Sequence, residues 1–373
     1  MSEPTELPTP ASTQLLEEFV AERARLRARP GPTGPGRRRA LAAHADGWLR
    51  GLFHDAVATS GGRLGGLALV AVGGHGRGEL SPGSDLDLLL LHDGSREAAE
   101  LAALADRLWY PVWDSGLRLD HSVRTPGEAR RTAGEDLPVL LGLLDARPVA
   151  GDESLARQLR SDVLSDWRRE ARRRLPQLRE SCREREERHG DVAFTLEPDL
   201  KEGHGGLRDV MVLRAIAASW VADRPHGDVD GARERLLDVR DALHLTTGRP
   251  LDRLLLQEQD AVAARLGLAD ADSVLRVVAE AARTVSYAAE TTWRRVERAL
   301  APRRRGLRLT RPPRMRPLAP SLLEHEGEVV LAADAPVATD PVLPLRAAAA
   351  AAQEGLPLAP DTVARLAAAP RLP

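Results

Sequence analysis

"GGHGRGELSPGSDLDLLLLHDG", residues 73–94, holds a glycine turn, two aspartates one residue apart, and then a solid apolar run. The glycines close the aliphatic stretch "LALVAVG", and Asp85 and Asp87 open the second apolar stretch. Short aliphatic runs bounded by glycine read as buried strands. In a strand, residues i and i+2 share a face, so Asp85 and Asp87 project together while Leu86 and Leu88 face the core. Two carboxylates ~7 Å apart along such a strand are costly beside an apolar core unless a cation binds them. Hard oxygen donors favour Mg2+, which keeps waters and binds phosphates at the same time. A second metal makes the arrangement a clamp for in-line phosphoryl displacement.

The glycine turn supplies the other half of this site. Gly73 and Gly74 let the backbone approach closely, so amides at the start of a short helix in "HGRGEL" are expected to meet a triphosphate. Arg77 adds a cation and Ser84 a hydroxyl. A third metal-binding carboxylate is expected from a neighbouring strand, where Asp120 in "LRLDHSVRT" is the candidate, with Arg118 on the same face.

Outward from this stretch, residues 1–11 are polar and proline-rich and are expected to be disordered. A helix in "TQLLEEFVAERARLRAR" and a linker in "PGPTGPGRRR" complete a first segment, 1–37. Strand, turn, strand, helix and strand, preceded by a helix, make residues 38–125 a mixed-sheet α/β (α+β) domain. Residues 126–303 read as helical almost throughout and are expected to form an all-α domain. Its charged stretch "WRREARRRLPQLRESCREREERHG" alternates Glu and Arg at helical spacing, which describes a solvated helix with local ion pairs and not a phosphate patch. Inside this domain a polar glycine loop, "LEPDLKEGHGGLRDV", interrupts the helices and marks a site. Residues 304–373 are a linker, "APRRRGLRLTRPPRMRP" running into it, and a C-terminal segment with a hairpin in "LLEHEGEVVLAAD" and an alanine-rich helix.

The glycine turn followed by Asp-x-Asp resembles the nucleotidyltransferase superfamily that includes DNA polymerase beta. Within it, "GGHGRGELSPGSDLDLLLLH", "LDHSVRT", "LEPDLKEGHGGLRDV" and "LDRLLLQEQDAVAARLG" together resemble the bifunctional uridylyltransferase/uridylyl-removing enzymes that modify the PII nitrogen-signalling protein. The resemblance covers roughly residues 40–300, in order. It implies a Mg2+-dependent transfer of UMP from UTP to a tyrosine of PII with release of pyrophosphate. ATP is the alternative donor, because actinobacterial relatives are associated with adenylylation and His75 stands where many relatives carry tyrosine. By position, Asp85, Asp87 and Asp120 take the catalytic metal-ligand roles, and Asp120 is followed four residues later by Arg124 as in related adenylyltransferases. Gly73, Gly74, Arg77, Ser84, Lys201 and Arg208 take the nucleotide. The family also carries an HD phosphohydrolase domain and two ACT domains. Neither is visible here, and "LLEHEGEVVLAADAPVATDPVLPLR" resembles the segment that precedes the HD domain, so the chain is expected to break off before both.

Composition narrows the alternatives. Lys plus Arg number 53 against 55 Asp plus Glu, and aromatics make up 3%, which disfavours an RNA nucleotidyltransferase or another nucleic-acid binder. One cysteine, Cys182, allows no internal disulfide, and no apolar run is long enough to cross a membrane, so a cytoplasmic protein is expected. His54-Asp55 and His92-Asp93 lack the surrounding set of a two-metal hydrolase, and Ser81 and Ser84 lack a matched triad. His121 and His204 are candidate bases, though lone histidines more often serve as hydrogen-bonded structural residues. The competing reading is a non-catalytic nucleotide- or protein-binding module of nucleotidyltransferase type, which intact Asp85 and Asp87 disfavour.

Overall fold

The computed structural model describes residues 10–28, 34–62, 64–223, 228–301 and 315–368. In chain order these form α1 (Pro10–Ala28), α2 (Pro35–Thr59), β1 (Leu67–Ala71), α3 (Gly73–Gly76), β2 (Leu86–His92), α4 (Ala98–Asp114) and β3 (Leu119–Arg124). There follow α5 (Pro126–Glu135), α6 (Leu137–Leu143), β4 (Arg147–Gly151), α7 (Glu153–His189), α8 (Leu207–Ala218), α9 (Val229–Thr247), α10 (Gln259–Leu266) and α11 (Ala271–Leu300). A second compact unit, residues 301–373, holds β5 (Arg316–Ala319), β6 (Leu322–His325), β7 (Glu328–Leu331), α12 (Leu343–Glu354) and α13 (Pro360–Ala367).

The first unit is built on a mixed sheet in the order β3-β2-β1-β4. β1 pairs antiparallel with β2 and β4, and β2 runs parallel to β3, with α4 as the crossover that a parallel pair requires. Strand alternation divides β2 between two cores. Leu86, Leu88 and Leu90 join Leu49, Phe53, Leu104 and Leu108 from α2 and α4. Leu89 and Leu91 join Leu140, Leu159, Trp167 and Ile216 on the opposite face. With both faces covered, the sheet tolerates the nearly continuous leucine run of β2.

A third core belongs to the helices alone, where Leu236, Val239 and Leu243 of α9 pack with Val278, Ala282 and Val285 of α11. α7 carries its charge in local pairs such as Arg173–Glu170 at 2.5 Å, as its spacing suggests. Its inward face is less simple, since Arg174 and Arg185 are buried and Arg185 pairs with Asp209.

Three expectations need correction. The chain from residue 126 is not all-α, because Arg147–Gly151 forms the edge strand β4 against β1. Its single Val-Ala pair between glycine, proline and arginine gives no period to read, and the strand exists only because β1 offers it an unpaired edge. "GRRR" at 36–39 is not linker but the first turns of α2, opened by Pro35, and Arg38 is buried against Glu234, Asp238 and Asp241 of α9. The short helix after β1 begins at Gly73, so both glycines lie within it. The disorder expected for residues 1–9 and the linker at 302–314 lie outside the described residues; Pro10 and Ala11 begin α1.

In the second unit the expected hairpin is β6–β7, turned at Glu326 and Gly327, both with positive φ, as a tight two-residue hairpin requires. β5 adds a third strand, and α12 packs on the sheet through Leu343 and Ala347.

Candidate active site

A cleft of about 460 Å³ opens between the mixed sheet and the helices α8 and α9. Gly73, Gly74, Arg77, Ser84, Asp85, Asp87, Asp120, Lys201 and Arg208 all line it. The nine candidates, spread over more than 130 positions of sequence, therefore meet in one place.

The acidic wall follows from strand register. Asp87 and Asp120 are direct partners across the parallel β2–β3 pair, and Asp85 immediately precedes β2. Burial, then the charges of Asp120 and Asp85, push the Asp87 carboxyl up to about 6. Asp85 pairs with Arg118, whose Nη2 lies 2.5 Å from Oδ1. Three carboxylates forced together in this way match the charge and donor type of a hard divalent cation. Among the described residues no three His, Cys, Asp or Glu side chains stand close enough together to hold a metal ion.

The glycine turn stands directly beside this wall. Gly73 has φ +54°, and a Cβ there would lie 3.0 Å from Asp87 Oδ2, so the close approach of turn and carboxylate depends on glycine. At Gly74 an added Cβ would meet only ordinary contacts, leaving its open side to the cleft. Gly76, not among the expected site residues, is packed so tightly that a Cβ would lie 2.2 Å from the Asp145 carbonyl.

The facing wall is cationic. Lys201 and Arg208 flank a loop closed by Leu207 N donating to Leu200 O and Arg208 N donating to Lys201 O, both at 2.9 Å. Asp199 Oδ1 accepts from the amides of Lys201 and Glu202 at 3.1 and 2.8 Å and fixes the loop's start. Arg208 makes a two-pronged pair with Glu202. Arg77 is held between Glu79 and Asp145, at 2.8 and 2.7 Å, with Arg233 on the same Glu79 and Arg214 on the same Asp145. Ser84 Oγ accepts from Ser81 N and lies 3.5 Å from Arg240.

Arg214, Arg233, Arg240 and Asp252 line the cleft and were not anticipated. Arg233, Leu237 and Arg240 stand at i, i+4 and i+7, one face of α9, and that spacing was the available signal. Asp252 lies in the motif "LDRLLLQEQDAVAARLG" and reaches the cleft through a short pairing with the loop, Leu200 N donating to Asp252 O and Leu254 N to Pro198 O. Burial tends to raise the Asp252 carboxyl, but His244, Arg240 and Lys201 hold it well below the ordinary range.

His244 ties α9 to the loop before Asp85. Gly83 N donates to its Nδ1 at 3.1 Å, so Nε2 carries the proton and donates to Leu251 O at 3.0 Å. Burial also lowers the His244 pKa, in keeping with this neutral tautomer. A Cβ at Gly83 would lie 2.9 Å from Nδ1 and 3.1 Å from Pro250 Cα. Gly83→Ala is therefore expected to cost about 1–3 kcal/mol in chemical denaturation, from overpacking against a site that cannot give way.

The histidine candidates separate. His121 lies in the cleft, with its ring against Trp109 and Trp113. His204 stands in a smaller cavity among Glu186, Glu290 and Asp209, and the Glu290 partner foremost raises its pKa. His75 is buried and turned to Asp46, 2.9 Å from Nε2. Cys182 is buried and its thiol is pushed up to about 11 by burial, an unreactive thiol.

A glycine turn and an acidic pair on a mixed sheet, closed by a cationic helical wall, define a nucleotidyltransferase-type site. Residues 57–140 match the nucleotidyltransferase domain family, and residues 173–293 match the GlnD PII-uridylyltransferase family. A bifunctional uridylyltransferase/uridylyl-removing enzyme of Streptomyces coelicolor is 60% identical over 369 residues, covering 95% of this chain and 43% of the relative. Like-named proteins of Mycobacterium tuberculosis and Corynebacterium glutamicum are 48% and 39% identical, each over 83% of this chain, covering 39% and 43% of the relatives. The chain is similar to part of these bifunctional uridylyltransferase/uridylyl-removing enzymes, and spans about two-fifths of the length of these curated relatives.

Proposed function

We propose that the chain transfers UMP from UTP to a tyrosine hydroxyl of a PII protein, releasing pyrophosphate. The observation that carries the reading is the meeting of Asp85, Asp87 and Asp120 with the Gly73 turn on one wall of a cleft whose other wall is cationic. The names of the matched families and relatives supply the donor and acceptor.

Asp85, Asp87 and Asp120 are the residues that would hold Mg2+, which when bound neutralises the developing phosphate charge. The turn at Gly73 and Gly74 leaves backbone room for the triphosphate. Arg208, Lys201 and the α9 pair Arg233 and Arg240 orient its negative charge, while Ser84 and Arg77 hold the near side. Asp120, on the exposed side of the acidic wall, accepts the phenolic proton. No helix among the described residues is long and apolar enough to cross a membrane, and a cytoplasmic setting suits the proposed partner.

The test is transfer of label from α-labelled UTP, with ATP in parallel, to purified PII protein and Mg2+. Label on PII with the wild-type chain and none with Asp85→Asn, Asp87→Asn is the expected result. Label from ATP alone would change the donor. Metal-dependent nucleotide binding with no transfer would leave a non-catalytic binding module.

A further inference from the structure

Of the 53 Lys plus Arg residues in the chain, one is lysine, Lys201; every other is arginine. A sequence that uses guanidinium for every other positive charge, and ammonium in the cleft alone, marks a place where the two groups are not interchangeable. Charge by itself does not explain the exception. Arg208, Arg214, Arg233 and Arg240 already line the same cleft, and guanidinium is the better fork for phosphate oxygens. What an ammonium offers and a guanidinium does not is a compact head on a flexible stem and a proton that can be given up.

The local structure suits that use. The backbone of Lys201 is fixed at both ends, its amide on Asp199 Oδ1 at 3.1 Å and its carbonyl accepting from Arg208 N at 2.9 Å. The loop that follows is rigid, since a Cβ at Gly206 would lie within 3.1 Å of three carbonyl oxygens, that of Lys201 included. From this base the side chain reaches into the cleft, 39% exposed, with Nζ 3.6 Å from Asp252 Oδ2. That contact is loose, whereas Arg240 Nε holds the other Asp252 oxygen at 2.6 Å. Asp252 therefore stays neutralised when Lys201 leaves it for a ligand. The ammonium also stands near enough to the acidic wall for its charge to oppose the upward shift of the Asp87 carboxyl.

Resting on the transferase reading above, we propose that Lys201 is the proton donor to the pyrophosphate leaving group. The tyrosine oxygen forms its bond to the α-phosphorus as the bond from that phosphorus to the bridging oxygen breaks. The electron pair of the broken bond stays on pyrophosphate, and a proton from Lys201 Nζ neutralises it. The phenolic proton passes by way of Asp120 to water and Lys201 regains one from water, so both groups return to their starting states before the next turnover.

The test uses the full chain, PII protein, and UTP beside two analogues whose β,γ-bridge is CF2 or CH2, which make the leaving group less or more basic. Lys201→Arg keeps the charge and is expected to slow transfer from UTP on the order of 10²-fold, a typical contribution of a positioned acid. Nucleotide affinity should stay within about threefold, and the loss should shrink with the CF2 analogue and grow with the CH2 analogue. Lys201→Ala should lose transfer with the same dependence on the donor, bind nucleotide more weakly, and recover transfer partly with added ethylammonium but not with guanidinium. A Lys201→Arg chain within about threefold of wild type, or a loss equal for all three donors, overturns the assignment while leaving the transferase intact. A wild-type chain that transfers from no donor overturns the transferase reading and this assignment with it.

Discussion

Asp87→Asn is expected to unfold later than the wild-type chain in metal-free buffer at pH 7 to 8, while its transfer activity falls on the order of 10³-fold. The first effect comes from crowded charge. The Asp87 carboxyl is raised from 3.8 to about 6, by burial foremost, then by Asp120 and Asp85. A folded pKa above the unfolded one means that ionisation favours the unfolded chain. The penalty is absent below about pH 3.8, grows as pH rises, and is complete above about pH 6. At about 1.4 kcal/mol per unit it amounts to at most about 3 kcal/mol, which asparagine removes. The second effect follows because a bound divalent cation supplies several kcal/mol of charge stabilisation in the transition state, and each 1.36 kcal/mol is about tenfold in rate. Differential scanning with and without Mg2+ separates the two, since the cation should stabilise wild type and leave Asp87→Asn unmoved. At limiting Mg2+ the wild-type rate should fall below about pH 6 and recover as Mg2+ is raised, because proton and metal compete for one carboxylate. Equal stability of the two chains at pH 7 to 8 would show that the acidic wall carries no such strain.

Arg38→Ala carries the largest expected loss of stability, about 3–5 kcal/mol in urea or thermal unfolding. Arg38 is 1% exposed, bonded to Asp238 and Asp241 at 2.7 Å each and paired with Glu234, and Asp241 is itself fully buried. Removing the guanidinium leaves the Asp241 carboxyl buried without its main counter-charge, which is the costly way to break such a cluster. Arg38→Met with Asp241→Leu should recover much of the loss, since replacing both charges leaves nothing stranded. Arg38 also joins α2, on the sheet, to α9, whose neighbouring face presents Arg233 and Arg240 to the cleft. Its loss should therefore weaken nucleotide binding even where the chain remains folded, and fluorescence titration with a labelled nucleotide measures that. A variant as stable as wild type would show the cluster to be no more than a surface network.

The two arginine clusters show where reading the chain stops working. Arg38 sits in "GRRR", a run whose composition says linker, and nothing local distinguishes it from Arg37 or Arg39. Its burial depends on three acids about 200 positions away on α9. Arg233 and Arg240 were legible as a helical face but not as a face turned to a cleft, because that direction is set by how α9 packs on α11 and on Arg38. Asp252 lies in the quoted motif "LDRLLLQEQDAVAARLG", but nothing local in that motif turns its carboxylate to the cleft. Lys201 and Asp87 are also far apart, 114 positions in sequence, yet both stand out locally, because each lies in a glycine-bearing motif whose local chemistry has few other uses.

Sequence alone determined the elements whose cause is local. The period-two pattern around Asp85 and Asp87 put both carboxylates on one face, glycine at position 73 permitted the positive φ, and the parallel β2–β3 pair needed a helix between its strands. Tertiary structure decided what no local pattern encodes: the register that sets Asp120 against Asp87, the edge that recruits β4, and the burial that raises Asp87. It also decided which basic residues face the cleft and which acids hold them. Backbone geometry and the apolar period act over a few residues and can be read along the chain. Charge acts through space at a strength set by burial and by neighbours far away in sequence, so it is fixed only when the walls of the cleft meet.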